Sequence, residues 1–250
     1  MNRLHWNSFA TTISIVAVWQ AASSLSSPLF LPGPLRVMEA FRDTYPGILL
    51  HALATLGRTL SGFALGVVIG FSAGLLMSLN RTAFNIVDPI VESLRPVPAI
   101  AAIPLFILWF GTGSGGQILL IALSCGTVLA VDVFHAVRNV SPWLIRAAQT
   151  LGAGRGTVYR TVIGPAIIPS LSGGLRIIAA LSFTIAIASE FMGAQQGLGF
   201  VIMRARRSLE TQTIVLGMLL IGLLARASDL AIRRILAYLT RWSETSTEAL

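Results

Sequence analysis

Six apolar runs set the terms on which this chain can fold. They cover roughly residues 8–26, 49–79, 84–110, 117–137, 166–192 and 213–236. A helix needs about 20 apolar residues to cross the hydrocarbon core of a bilayer. Inside that core every backbone N–H and C=O must bond within its own segment, which leaves helices or a closed barrel. Runs of this length point to helices. The expectation is therefore an all-α fold, a polytopic transmembrane helix bundle of about six spans, with residues 1–250 forming one membrane domain. The chain could not coat a soluble surface: 54% of its residues are hydrophobic and 11% are charged, against about 25% charged in soluble domains.

Charge placement orients the bundle. The 18 basic residues are all arginine, and the net charge is +8. They stand singly or in short clusters between apolar runs, which fits cytoplasmic membrane flanks better than a nucleic-acid surface. With an even number of spans and the N-terminus inside, Arg81, Arg138, Arg146, Arg155, Arg160, Arg233, Arg234 and Arg241 are cytoplasmic. Arg36, Arg42, Arg204, Arg206 and Arg207 lie outside, and the Arg204–Arg207 cluster is the main exception to the bias. The first run could be the apolar part of a signal peptide. Trp19 and Gln20 interrupt it, no convincing small-x-small cleavage site precedes a soluble domain, and more apolar runs follow, so it is read as a retained helix.

Breakers and small residues divide the chain further. Pro28, Pro32, Gly33 and Pro34 end the first run. Leu35, Met38, Ala40 and Phe41 then alternate with Arg36, Glu39, Arg42 and Asp43, the pattern of a short amphipathic helix at the interface. Asn80-Arg81 is a tight turn. Residues 111–116 are glycine-rich but lack the spacing and the Lys of a phosphate loop, so they are a turn between spans. Gly62, Gly66, Gly70 and Gly74 make one small-residue stripe along the second run. Such a stripe lets another helix approach closely, either within one subunit or across a dimer seam.

The segment between the fourth and fifth runs, about residues 139–165, is too polar and too broken to cross lipid. Ser141-Pro142 is a helix start. Leu144, Ala147, Ala148 and Leu151 fall at helical spacing and form an apolar face, and Gly152 stops the helix where a left-handed cap is needed. A second short helix begins near Gly154, with Val158, Tyr159 and Val162 on its apolar side, and Gly164-Pro165 ends it. This helix-turn-helix must rest on the bundle, on the membrane or on a partner protein.

Four elements in order resemble those of ABC importer permeases of the nitrate/sulfonate/taurine type. Arg146-Ala147-Ala148, Gly152 and Ile163-Gly164-Pro165 resemble the family's Glu-Ala-Ala loop, with Arg146 where Glu is usual. Phe30-Leu31-Pro32-Gly33-Pro34 is similar to the Leu-Pro-Ser-Pro element after the first span. Arg95-Pro96-Val97-Pro98, Pro104-Leu105 and Leu108-Trp109-Phe110-Gly111 resemble the family's proline-rich run. Ala188-Ser189-Glu190-Phe191-Met192-Gly193-Ala194 with Gly197-Leu198-Gly199 resembles its Glu-Met-x-Gly-Ala…Gly-Leu-Gly element. The resemblance implies a type I ABC importer permease fold, working as a homodimer with two ATPase subunits and a periplasmic binding protein in the bacterial inner membrane. It implies that Arg146, Ala147, Ala148, Leu151, Gly152 and Ala153 form the coupling helix that docks on the ATPase. The implied solute is small and anionic, of the sulfonate, taurine, nitrate, bicarbonate or aromatic acid class.

Charges inside spans are costly and face a cavity or a partner. Arg95, Asp132, Arg176 and Glu190 qualify, and with Pro96 and Pro98 they are the candidates for the passage. For Glu190 an ion pair with an arginine that fixes packing competes with a gating role. Arg95 and Arg176 could attract an anion or reach lipid headgroups. Arg204, Arg206 and Arg207, with Arg36 and Arg42, are candidates for contact with the binding protein. Enzyme chemistry finds no footing. His5, His51 and His135 lack metal-ligand spacing, Asp88, Glu92 and Asp132 lack an acid/base grouping, and Cys125 is a lone apolar thiol. No cofactor is expected in this chain, and ATP hydrolysis is assigned to a separate subunit. The rival classes are an ion-gradient-driven secondary transporter, which would need matched inverted repeats, and a membrane enzyme.

Overall fold

The computed structural model describes residues 2–242, with side chains from residue 11 onward except residue 12. Among these residues all regular structure is helical. Four stretches are long and apolar enough to cross a membrane. They are α3 (Gly47–Leu79), α6 (Ser114–Arg138), the continuous Arg155–Gly193, which comprises α8 (Arg155–Val158), a π-helical turn (Tyr159–Ile163) and α9 (Gly164–Gly193), and α11 (Thr211–Leu239). A fifth span exists if α4 (Arg81–Leu94) and α5 (Ala99–Phe110) are taken together. The first helix, α1 (Asn2–Ser24), is 23 residues long, and its described apolar part is Ile13–Ser24. It stands largely outside the bundle and is tied to it by the Trp19 indole N–H, which donates to the Pro32 carbonyl at 3.1 Å.

Two sequence expectations need correction. The run at 84–110 is two helices rather than one, bent by 100° at residues 95–98. Pro96 and Pro98 remove two N–H donors from a single turn, and Pro98 itself is extended at φ −62°, ψ 119°. Pro89 and Pro104, by contrast, sit inside α4 and α5 without ending them. The second correction concerns Gly164-Pro165, which does not end a helix. The wider π turn hands the chain on without a break: Gly164 N–H bonds back to the Tyr159 carbonyl, and the missing N–H of Pro165 falls in the first turn of α9. A single π turn of this kind absorbs a residue that cannot bond in the α pattern.

The glycine stripe faces inward, toward α6 of the same chain. A methyl group on Gly62 would strike Ile121. On Gly66 it would strike Cys125 and the Ala122 carbonyl, on Gly70 the Gly126 carbonyl and Leu129, and on Gly74 the Ala130 carbonyl and Val133. Backbone therefore lies against backbone over three turns, and α6 fills the centre of the molecule. Ile121, Cys125, Leu129 and Val133 are fully buried there, and Cys125 Sγ donates to the Ile178 carbonyl of α9 at 3.6 Å. This explains why apolar side chains cluster on α6 at this seam while the facing stripe of α3 supplies none: the stripe contributes proximity instead.

The amphipathic segment is α2 (Pro34–Thr44), with Pro34 in its first turn. Its buried face is Val37 and Ala40, joined by Phe41, against Ile48, Ala52, Leu198 and Leu216. Leu35 and Met38, expected on that face, point outward instead. They occupy the interfacial side, where apolar side chains can enter lipid.

The seam makes a direct prediction. Gly70→Ala should destabilise the folded chain by about 1–3 kcal/mol, because backbone must shift to admit a methyl group. Gly57→Ala, on the same helix with open space around it, should be neutral or stabilising by about 0.5–1 kcal/mol. Denaturation of the two variants in mixed micelles checks this; equal stability of both would show that α3 and α6 are not in close contact.

Candidate functional site

Chemistry gathers at the two ends of the bundle. At one end, α7 (Pro142–Thr150) follows Ser141, whose side chain makes no capping bond, and carries Pro142 in its first turn. Its C-terminus is closed by two reverse bonds. Gly152 N–H donates to the Gln149 carbonyl and Ala153 N–H to the Ala148 carbonyl, each at 3.0 Å. This is the Schellman arrangement, and it requires the left-handed conformation that Gly152 adopts at φ +82°. The expected apolar face is split. Ile145, Ala148 and Ala153 pack against the core of the bundle. Trp143, Leu144 and Leu151 point away, with Leu151 89% exposed. Arg146 lies 5.4 Å from the Trp143 ring centroid in a cation–π contact. The helix is thus held along one edge and offers the other, apolar and capped by Gly152, where an added Cβ would meet nothing within 4 Å beyond its chain neighbours. Tyr159 ties this end to the bundle by donating its hydroxyl to the Ser78 carbonyl of α3 at 3.2 Å.

At the opposite end a buried carboxylate organises four elements. Arg58 of α3 pairs with Glu190 of α9 at 2.5 Å, with side chains 8% and 0% exposed. The same guanidinium donates to Ser114 Oγ at the start of α6 and to the Gln196 carbonyl. Thr55 Oγ1 donates to the Glu190 carboxylate and accepts from Leu198 N–H at 2.8 Å. Gly199 N–H donates to Glu190 Oε2 at 2.8 Å. The acceptor oxygens thus sit at the N-terminus of α10 (Leu198–Arg207), where free N–H groups and the helix dipole favour a negative charge. Gly197 has φ +121°, and a methyl group there would coincide with the carboxylate; one on Gly199 would strike Glu190 Cβ. The Gly-Leu-Gly element is therefore a seat for Glu190. His51 Nδ1 accepts from Gly197 N–H at 3.2 Å and completes the shell.

Of the sequence candidates, Glu190 lies in this ion pair, and the partner is Arg58, which sequence reasoning passed over. The signal was present. Arg58 is the one charged residue in the run at 49–79, and His51, Thr55 and Arg58 continue the Gly62–Gly74 stripe at helical spacing. Arg95 stands at the α4–α5 bend with Pro96 and Pro98, all exposed, and its guanidinium lies 3.7 Å from Glu92. Asp132 is half-buried on α6, its carboxylate set against Gly174 of α9. Arg176 is bound to Asp229 of α11 at 2.9 Å, a residue that sequence reading also missed. The structure thus spreads the passage candidates over several places rather than one. Near the bend a cavity of about 390 Å³ is lined by Ile69, Val91, Phe106, Phe110 and other apolar side chains, with none of the candidate charges. Arg204, Arg206 and Arg207 are exposed at the end of α10, and Arg36 and Arg42 are exposed on α2.

Comparison with known proteins follows the same outline. The family model described as "Binding-protein-dependent transport system inner membrane component" matches residues 62–244. The taurine transport system permease protein TauC of Escherichia coli (strain K12) is 35% identical over 246 residues, covering 94% of this chain and 89% of that one. The putative aliphatic sulfonates transport permease protein SsuC of Bacillus subtilis (strain 168) is 30% identical, covering 91% and 84%. The riboflavin transport system permease protein RibX of Chloroflexus aurantiacus is 30% identical, covering 97% and 93%. In fold, the chain is similar to a solved chain of the inward-facing MetNI methionine ABC transporter, with a TM-score of 0.63 at 22% identity over 76% of this chain and 98% of that one. The fold is that of type I ABC importer permeases.

The carboxylate shell generates a second prediction. Thr55→Val keeps the shape but removes a donor to Glu190 and the acceptor for Leu198 N–H. It should cost about 1–3 kcal/mol in micelle denaturation, whereas Thr55→Ser should cost under about 1 kcal/mol. Equal losses would mean that packing, not the hydrogen bonds, sets the contribution of residue 55.

Proposed function

The chain belongs to the family of binding-protein-dependent transport system inner membrane components, and we propose that it is the solute-conducting subunit of an ATP-driven importer for a small anion. Two copies would frame the passage, two ATPase subunits would supply the energy, and a binding protein would deliver the solute. The chain itself carries out no hydrolysis and needs no cofactor in this reading. Both termini face the cytoplasm of a bacterial cell whose inner membrane the helices cross. The arginine bias supports that orientation, since the α7 end carries Arg81, Arg138, Arg146, Arg155 and Arg160.

One observation carries the proposal: α7 is a capped helix bound to the bundle by one edge, with Trp143, Leu144 and Leu151 left exposed beside Gly152. Exposed large apolar groups on a short, rigid helix outside the lipid fit a groove in a partner. Ala147, exposed on the free side, lets that partner come close, and Arg146 offers a positive charge where the family usually has Glu. Movement of α7 would pass to α6 through residues 139–141 and to α9 through the π turn, so closing of the ATPases would rock the spans between inward- and outward-open states. Arg95 and Asp132 are the passage candidates that no strong ion pair engages. Sulfonates head the solute classes, because taurine and aliphatic sulfonates are the cargo named for two of the relatives above. Uptake of labelled taurine in the presence of the binding protein tests that assignment.

Gly152→Val tests the coupling. A Cβ there would point into open space, so insertion should be normal. The left-handed backbone is costly for a residue with a Cβ, by roughly 1–2 kcal/mol, and the docking face changes shape. Pull-down of the ATPase by the solubilised variant should weaken about tenfold, with uptake lost in parallel; full binding and full uptake would remove α7 from the coupling role. At the other end, Arg206→Glu with Arg207→Glu should reduce stimulation of ATP hydrolysis by the binding protein, most at low ionic strength where screening is weak. A response independent of salt would exclude a charged contact there.

A further inference from the structure

Asp229 on α11 gathers three guanidinium groups. It accepts from Arg176 Nε of α9 at 2.9 Å and from Arg233 Nε at 2.8 Å, and an Arg226 terminal nitrogen stands 3.6 Å away. Three cations against one carboxylate leave two positive charges in excess. Donors are in excess as well. Arg176 and Arg233 use Nε alone, so their terminal amino groups meet no acceptor among the described residues, and the Arg226 side chain is 62% exposed.

Depth and surroundings say what kind of anion fits. Asp229 lies about 27 Å along α11 from Thr211, and Arg176 about 26 Å along α9 from Gly193, at ~1.5 Å per residue. Both helices thus put the cluster nearly one hydrocarbon thickness, about 30 Å, from the end that holds Glu190. That is headgroup level in the leaflet on the α7 side. On α11 the residues Leu219, Leu223, Arg226, Leu230 and Arg233 recur at alternating spacings of four and three, which is one face of a helix. The three leucines are 51%, 64% and 38% exposed. An apolar stripe thus runs from mid-membrane straight into the arginines.

We propose that this face is a binding site for an anionic phospholipid, with the phosphate held by Arg226, Arg233 and Arg176 and an acyl chain lying along Leu219 and Leu223. Planar guanidinium groups suit the diester phosphate oxygens. The excess charge selects against zwitterionic lipids, whose ammonium group it repels. Free phosphate would use the arginines but not the leucine stripe. A second copy of this chain would bring the same basic surface, and like charges would oppose in a two-fold contact. The inference rests on the chain crossing a bilayer and on nothing about its solute or its ATPase.

The test is lipid retention by the full-length chain. Purified from nanodiscs of phosphatidylcholine with a minority of phosphatidylglycerol and analysed by native mass spectrometry, it should retain phosphatidylglycerol in preference. Arg226→Gln, which leaves both hydrogen bonds to Asp229 in place, should lower that preference about fivefold, the effect of one basic residue at an anionic surface. Arg234→Gln, on the same helix outside the cluster, should leave it unchanged. A large excess of inorganic phosphate should not displace the lipid. Equal retention of the two lipids overturns the proposal. So does an equal fall for Arg234→Gln, which would show general surface attraction, or displacement by phosphate, which would show an ion site. Unchanged retention with altered self-association in Arg226→Gln would make the face a subunit contact instead.

Discussion

The Arg58–Glu190 ion pair is the contact on which the arrangement of one end of the bundle, opposite α7, depends. A carboxylate with its side chain fully out of solvent is tolerable only when its charge and lone pairs are matched. Here a guanidinium, a threonine hydroxyl and the N-terminus of α10 share that task. Because those groups come from α3, α9 and α10, and Arg58 also reaches Ser114 at the head of α6, the requirements of one side chain fix the relative positions of four elements. The pair also dictates sequence around it. Gly197 and Gly199 are glycine because Glu190 occupies the space their side chains would take. Such pairs contribute less to net stability than to specifying one geometry, since the desolvation cost offsets much of the attraction.

The rest of the bundle is built on a different principle. Along α3 and α6, attraction comes from close packing of backbone and small residues rather than from charge, which suits a solvent as apolar as the side chains themselves. The polar stripe of His51, Thr55 and Arg58 passes into the glycine stripe on the same helical face. One face of α3 therefore anchors the Glu190 end by hydrogen bonds and the middle by proximity. The α7 end is held more lightly, by the Ile145–Ala148 edge and by Tyr159 to Ser78. A firm Glu190 end and a lightly held helix at the other end suit the proposed coupling, because a partner can move α7 without dismantling the seam.

What was legible in the sequence was what local rules govern. The long apolar runs and the positive φ of Gly152 follow from backbone chemistry within a few residues. The inward face of the glycine stripe was legible as a close helix contact, though whether it lay within or between subunits was not. Long-range pairing was not legible. Arg58 and Glu190 are 132 residues apart, and Arg176 and Asp229 are 53 apart, so no periodicity joins them. The 100° bend and the uninterrupted passage through Gly164-Pro165 depend on how freed backbone groups are satisfied in three dimensions. The facing of α7 was not legible: spacing puts Leu144, Ala147, Ala148 and Leu151 on one face, and packing divides Ala148 on the bundle side from Leu144 and Leu151 on the other.

A double-mutant cycle on Arg58 and Glu190 tests the central claim most directly. Arg58→Met and Glu190→Gln, singly and together, would be compared by denaturation in mixed micelles. Each single change should cost about 3–5 kcal/mol by leaving a buried charge or its donors unmatched. The double variant should cost well under the sum, with a coupling of roughly 2 kcal/mol or more. Additive losses within about 0.5 kcal/mol would contradict the account, because they would mean that the two residues act separately and that this end of the bundle is ordered by something else.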